Sequence, residues 1–236
     1  MDLKNKTIII TGAARIGQKV AEALKEKGAN LVITYFTSAE EAGNLGLPVK
    51  ADVTKKEDIA NLIKKAKQEF GQIDGVVHMA ATYEKVPFEK LDEGDFNKSI
   101  NVIAKSTFLI GKMVGDQMLK NQGDIKGKMI FFSDWSVLTR PYTDYLAYNT
   151  AKSAVVGLTK SFAKELAPSI LVNAIAPGPI LRPSNLTEKE NEEVLSKTLV
   201  RRWGGADEIA KGVLYLMEAD FVTGQILTID GGRTIA

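Results

Sequence analysis

The 236-residue sequence contains no cysteine and a single histidine. The first absence excludes disulfides and thiolate chemistry and is compatible with a cytoplasmic setting. The second leaves no His-based metal site, so no metal is expected. No apolar run approaches the roughly 18 residues that a membrane-spanning helix requires. The opening MDLKNKTIIITGAA passes directly into a strand-like pattern without a long apolar segment, so no signal peptide is expected. Charge of one sign is also scarce. The 31 Lys and Arg against 29 Asp and Glu leave a formal +2, and the basic residues are scattered. Nucleic acid and membranes are therefore not expected partners. What remains, 44% apolar and 25% charged residues, is the composition of a soluble globular domain.

Strand-like and helix-like patterns alternate from end to end. Strand-like runs fall at 6–12, 30–36, 47–53, 75–81, 128–134, 170–180 and 225–232. Helical periodicities fall at 16–28, 55–71, 94–121, 145–167 and 206–217, with a short helix at SAEEAG. Residues 184–202 are charged and read as irregular or helical. No linker, repeat or low-complexity tract divides the chain. Strands this apolar, alternating with helices, predict one α/β domain over 1–236: a Rossmann-type doubly wound parallel sheet with helices on both faces. Ligands of such sheets bind beyond the carboxyl ends of the strands.

TGAARIG (11–17) leaves the first strand and opens the first helix. Backbone amides at a helix N-terminus suit an anionic pyrophosphate, with Gly12 permitting a tight turn and Gly17 a close approach. After the second strand an NAD enzyme usually places an acid for the ribose hydroxyls. Here the chain reads Tyr35, Phe36, Thr37, Ser38, with no acid until Glu40. Arg15, helped by Thr37 and Ser38, could instead meet a 2′-phosphate, which favours NADP(H) over NAD(H). Arg15 is otherwise a solvated loop cation. Asp52 could accept a hydrogen bond from an adenine amino group, or could be a turn residue before the next helix.

In YLAYNTAKSAVVGL (145–158), Tyr148 and Lys152 are four residues apart and share one helix face. A free phenol has a pKa of about 10 and is a poor acid–base at neutral pH. A cation one turn away would favour the phenolate and lower that value. The pair then suits carbonyl or imine chemistry. The bland reading is a lysine snorkelling beside a core tyrosine.

Several further motifs join these in order. TGAARIG is followed by Asp52-Val53, HMAA (78–81), Asn101 in SINVIAKSTFL, Tyr148-x-x-x-Lys152, PGPI (177–180) and TGQILTIDGG (223–232). Taken together, over nearly the whole chain, they resemble the short-chain dehydrogenase/reductase family. The resemblance implies catalytic roles for Asn101, Tyr148 and Lys152. It implies cofactor contacts by Gly12, Arg15, Ile16, Gly17, Tyr35, Thr37, Ser38, Asp52, Val53, Ala80, Tyr148, Lys152, Pro177, Gly178 and Ile180. It also implies a homo-oligomer, commonly a tetramer paired through long helices and the last strand, and a variable substrate lid at about 182–202.

Lining up KMIFFSD with the family's fifth strand puts Asp134 where a catalytic serine is usual, with Ser133 and Ser136 as competing candidates. An aspartate there is similar to pteridine reductases, as are RIG, DFVTGQ and the closing DGGR. Tyr83 then matches an aromatic ring that stacks on the pterin, and Trp135 and Tyr142 could line the pocket. The leading expectation is NADPH-dependent reduction of a small molecule, a pterin-like C=N compound, with Asp134, Tyr148, Tyr83 and Trp135 at the substrate. The alternatives are a 3-oxoacyl-carrier-protein reductase or other ketone reductase, and a cofactor-sensing relative without turnover. There are departures from the family pattern. The glycine loop is one residue short, His78 and Met79 replace asparagines, and Arg182 replaces a threonine.

Overall fold

The computed structural model describes residues 1–35 and 39–236, and the side chains at 39–41 are also left aside. Among the described residues seven strands form one sheet: β1 Thr7–Thr11, β2 Asn30–Tyr35, β3 Leu47–Lys50, β4 Gly75–His78, β5 Gly127–Phe132, β6 Ile170–Pro177 and β7 Ile226–Ile229. All pairings are parallel, in the order β3-β2-β1-β4-β5-β6-β7. The order reverses between β1 and β4, and there the loops at the carboxyl ends diverge and open a crevice.

Successive side chains of a strand point to opposite faces, so each apolar strand feeds two cores. Ile9, Val76 and Met129 face α3 (Lys56–Phe70), α5 (Ser106–Met118) and α7 (Leu146–Leu166). Ile8, Ile10 and Val77 face α1 (Ile16–Glu26) and α9 (Ala206–Glu218). The other helices are α2 (Ala39–Leu45), α4 (Glu93–Ser99), α6 (Ser136–Thr139) and α8 (Glu188–Ser196). Reciprocal capping boxes start α4, from Asp92 and Asp95, and α8, from Thr187 and Glu190.

The sequence predicts a plain helix over 94–121. In the structure α4 and α5 are joined by a π-helical stretch, Ile100–Lys105, where the Ser106 N–H reaches back five residues to the Asn101 carbonyl. Several strands also end early. β3 stops at Lys50, β4 at His78, β5 at Phe132 and β6 at Pro177, so Asp52, Ala80, Asp134 and Ile180 sit on loops beyond the ladder.

Candidate active site

The turn after β1 is built to approach the neighbouring chain. Gly12 has φ 73°, and a Cβ there would lie 2.7 Å from the Ala80 backbone nitrogen. The turn lacks one residue against the family pattern and closes tightly. Gly17 N–H donates to the Ala14 carbonyl at 3.0 Å, and Arg15 has a positive φ of 54°. α1 then starts at Ile16 with no side-chain cap and no acid in its first turn. Apart from the Gly17 N–H, the N–H groups of this uncapped first turn are left for an anion, so the residues present fit a dinucleotide pyrophosphate. Arg15 is exposed at the rim, Tyr35 half-buried at the end of β2, and Thr37 and Ser38 lie outside the described residues.

Asp52 is engaged as a turn residue. Its Oδ1 accepts from Thr54 N at 3.0 Å and Thr54 Oγ1 at 2.7 Å, and these bonds hold the carboxyl below its usual range. Val53 beside it is buried. Across the crevice, Gly178 N–H donates to Ile229 at 2.9 Å and Pro177 accepts from Trp135 N at 3.2 Å. Ile180 is buried at the root of the 182–202 segment. Arg182 pairs with Glu188 at 2.5 Å, and Trp203 Nε1 donates to Asn191 Oδ1 at 2.9 Å, so the first turn of α8 is held at two points.

Tyr148 and Lys152 are both buried. The phenol donates to Asp134 Oδ2 at 2.7 Å, and the ammonium donates to the Phe132 carbonyl at 2.7 Å, 5.8 Å from the Tyr148 ring centre. Here the structure corrects the expectation drawn from helix spacing. Burial first, and then the Asp134 carboxylate, hold the phenol well above its usual pKa in spite of the neighbouring Lys152. Lys152 is itself pushed down to about 8 by burial, against the opposing pull of Asp134. Of the three residues competing to face Tyr148, Asp134 is the one that reaches it. Ser133 Oγ turns under the sheet to the Lys152 carbonyl at 3.1 Å. Ser136 Oγ is buried with no hydrogen-bond partner among the described residues. Asp134 Oδ1 also accepts from Ser136 N at 2.8 Å, so the same carboxylate starts α6.

Four of the six tyrosines gather here. Tyr83, 59% exposed, stacks on Tyr145 at 4.7 Å and stands edge-on to Tyr148 at 5.0 Å. One face of Tyr83 is thus already covered by a neighbour. Trp135 is buried and donates through Nε1 to Tyr142 Oη at 2.7 Å. Asn101 is half-buried on the π-helical stretch, and its side chain makes no hydrogen bond among the described residues.

Two further groups lie near these residues, and the first, His78, is the satisfied strand-end residue that its sequence position suggests. His78 is buried between Thr11 Oγ1, at 2.6 Å from Nδ1, and Ser106 Oγ, at 2.8 Å from Nε2. Ser106 gives its own proton to the Val102 carbonyl at 2.6 Å, which makes it the acceptor from Nε2–H and Thr11 the donor to Nδ1. Burial, reinforced by Lys152, pushes the imidazole down to about 3 and keeps it neutral. Arg233 lies over the Trp135 ring at 5.3 Å and donates to the Val194 carbonyl at 3.0 Å. Only the motif DGGR pointed to it, with no role attached.

A crevice at the switch of strand order, an open helix N-terminus and a buried Tyr–Lys pair at the strand ends define an NAD(P)-dependent oxidoreductase. A family model described as Enoyl-(Acyl carrier protein) reductase matches residues 12–234. The chain is 36% identical to the 3-oxoacyl-(acyl-carrier-protein) reductase of Thermotoga maritima, with 100% of each chain covered. It is 36% identical to a 2-dehydro-3-deoxy-D-gluconate 5-dehydrogenase of Bacillus subtilis, covering 98% of this chain and 95% of that one. The crystal structure of a short chain dehydrogenase from Bacillus anthracis is 31% identical, with TM-score 0.91, covering 99% of this chain and 98% of that one. The chain belongs to the short-chain dehydrogenase/reductase family.

Proposed function

We propose that this protein reduces a carbonyl group or oxidises the corresponding alcohol on a small molecule, with NADP(H) preferred. The observation that carries the reading is the buried Tyr148 phenol, kept in its acid form beside Lys152. The names of the relatives, an oxoacyl reductase and a sugar-acid dehydrogenase, support carbonyl and alcohol chemistry over the pterin-like expectation.

Gly12, Ile16, Gly17 and Ala80 would border the pyrophosphate, and Asp52 and Val53 the adenine. Arg15, with Tyr35, Thr37 and Ser38, would take the 2′-phosphate. Pro177, Gly178 and Ile180 would face the nicotinamide. When bound, that group supplies or accepts the hydride. The chain's own part is the proton. Tyr148 donates its proton to the oxygen of the reduced carbonyl. In the free protein that proton is directed at Asp134, so a substrate oxygen must compete with the carboxylate for it. Lys152, with its value near 8, is mostly charged at neutral pH and stabilises the phenolate left behind. Asn101 would act beside them, and residues 182–202 would close over the substrate. Assembly as a homo-oligomer, a tetramer by family resemblance, completes the proposal.

A second reading, reduction of a pterin-like C=N bond, is supported by the carboxylate of Asp134 on the phenol and by Tyr83 edge-on beside it. The test is NADPH oxidation by wild type and Tyr148→Phe with simple ketones, a 3-oxoacyl thioester and a dihydropteridine. Ketone or thioester turnover that falls about a hundredfold or more in Tyr148→Phe is expected. Turnover of the dihydropteridine alone reverses the order of the two readings. NADPH binding without turnover of any of them would leave a cofactor-sensing protein.

A further inference from the structure

We propose that Arg233, lying on the Trp135 indole and joined by the positive charge of Arg140, forms a carboxylate-binding subsite at the edge of the aromatic cluster, and that the substrate is an oxo or hydroxy acid. The proposal rests on the carbonyl reading and adds a substrate class to it.

The backbone at Arg233 is fixed before any ligand arrives. Asp230, nearly buried, accepts from Gly232 N at 3.0 Å and Thr234 N at 2.6 Å, and Gly232 takes a left-handed turn at φ 81°. The guanidinium then lies on the indole of Trp135, the residue next to Asp134. Trp135 in turn holds Tyr142 by its indole N–H. Arg233 is thus linked through Trp135 and Asp134 to the proton-transfer group, Tyr148.

One Arg233 nitrogen serves the last turn of α8, at the Val194 carbonyl. Its other donors have no hydrogen-bond partner among the described residues. Burial is the main burden on its charge, Tyr142 offsets part of it, and Arg140 adds to it as a like charge. Glu193, an opposing charge, is already paired with Lys197. Arg182 and Arg202, flanking the same lid segment, each have a carboxylate partner of their own in Glu188 and Glu208. Arg233 and Arg140 have none among the described residues. A half-buried cation without a carboxylate partner is a cost that a bound anion relieves. The free edge of a guanidinium matches both oxygens of a carboxylate, and the ring behind it fixes its plane. A simple clamp of the C-terminal turn would need the Val194 bond but gains nothing from Arg140.

The test compares 2-, 3- and 4-oxo acids with their methyl esters, following NADPH oxidation in wild type, Arg233→Gln and Arg140→Gln. NADPH affinity is measured separately by fluorescence titration. Wild type should favour one acid over its ester by roughly tenfold or more in kcat/KM, the difference lying in KM. Arg233→Gln should bring that ratio close to one, and Arg140→Gln, at an exposed position where folding tolerates the change, should lower it severalfold. An ester used as well as its acid by wild type overturns the subsite and leaves the carbonyl reading standing. So does a ratio unchanged in both variants, or a loss of NADPH affinity that matches the loss on the acid. Turnover of neither acids nor esters, nor of any other ketone, overturns both.

Discussion

The Tyr148 hydroxyl donates to Asp134 Oδ2, while the Lys152 ammonium on the same helix face bypasses it and donates to the Phe132 carbonyl. The phenol therefore feels the carboxylate more strongly than the lysine. This ordering governs the first two predictions.

Asp134→Asn removes the negative charge that, after burial, most raises the Tyr148 value. The phenolate then becomes accessible at lower pH. Alcohol oxidation needs the phenolate, so the rising limb of its pH–rate profile should move to lower pH in the variant. Carbonyl reduction at neutral pH should persist, because the phenol remains protonated there. With a C=N substrate, loss of the carboxyl should instead cost about a hundredfold. Steady-state profiles in both directions decide it. A superimposable pair of profiles reduces Asp134 to the cap of α6.

Lys152 carries a stability signature. Its folded value of about 8 lies below the ordinary 10.5, so between these values the unfolded chain binds more protons. The lysine's contribution to stability must therefore rise with pH from about 8 to 10.5, by on the order of 3 kcal/mol. Lys152→Met should lack that slope and lose turnover, though it leaves the Phe132 carbonyl without its donor. Denaturant unfolding across the same pH range, wild type against variant, measures the difference. Parallel curves would refute it.

Arg15 has a positive φ that glycine adopts readily, so Arg15→Gly removes the charge without straining the turn. NADPH affinity should fall about tenfold or more while NADH affinity stays nearly constant, since only the former carries the extra phosphate. Titration of cofactor fluorescence gives both constants. Equal losses would assign Arg15 to the pyrophosphate common to the two cofactors.

Tyr83 is largely exposed and rests on Tyr145, so Tyr83→Ala should cost little stability. For flat substrates the lost ring contact is worth roughly 0.5–1.5 kcal/mol, a severalfold rise in KM. Small aliphatic ketones should be indifferent to the change. A KM shift of the same size for both classes would point to loss of pocket shape and not of stacking.

The order of elements and the parallel sheet were legible because β-branched runs and 3.6-residue periodicities alternate cleanly. Strand ends were not. Ala51, Val53, Trp135 and Ile180 are buried, so the apolar pattern runs on after the ladder has stopped. Burial in loops around the crevice is indistinguishable from burial in a strand when only hydrophobicity is read. At the site, spacing identified Tyr148 and Lys152 as neighbours on one helix face. It could not show which charge stands closer to the phenol oxygen, because that depends on Asp134, contributed by another element. Arg233 escaped for a similar reason, since its partner ring lies in a loop about a hundred residues earlier.

The π-helical stretch at Ile100–Lys105 has a consequence for how this chain can change length. Removing one residue from an ordinary helix rotates everything downstream by about 100° and turns its apolar stripe away from the sheet. Within 100–105 the wider turn already holds one residue more than an α-helix needs. A single deletion there tightens the turn to regular helix, and α4 and α5 both keep the faces they now present. Length variation in this long helix is thus absorbed beside Asn101, where it resets the local backbone around the site while the core stays packed.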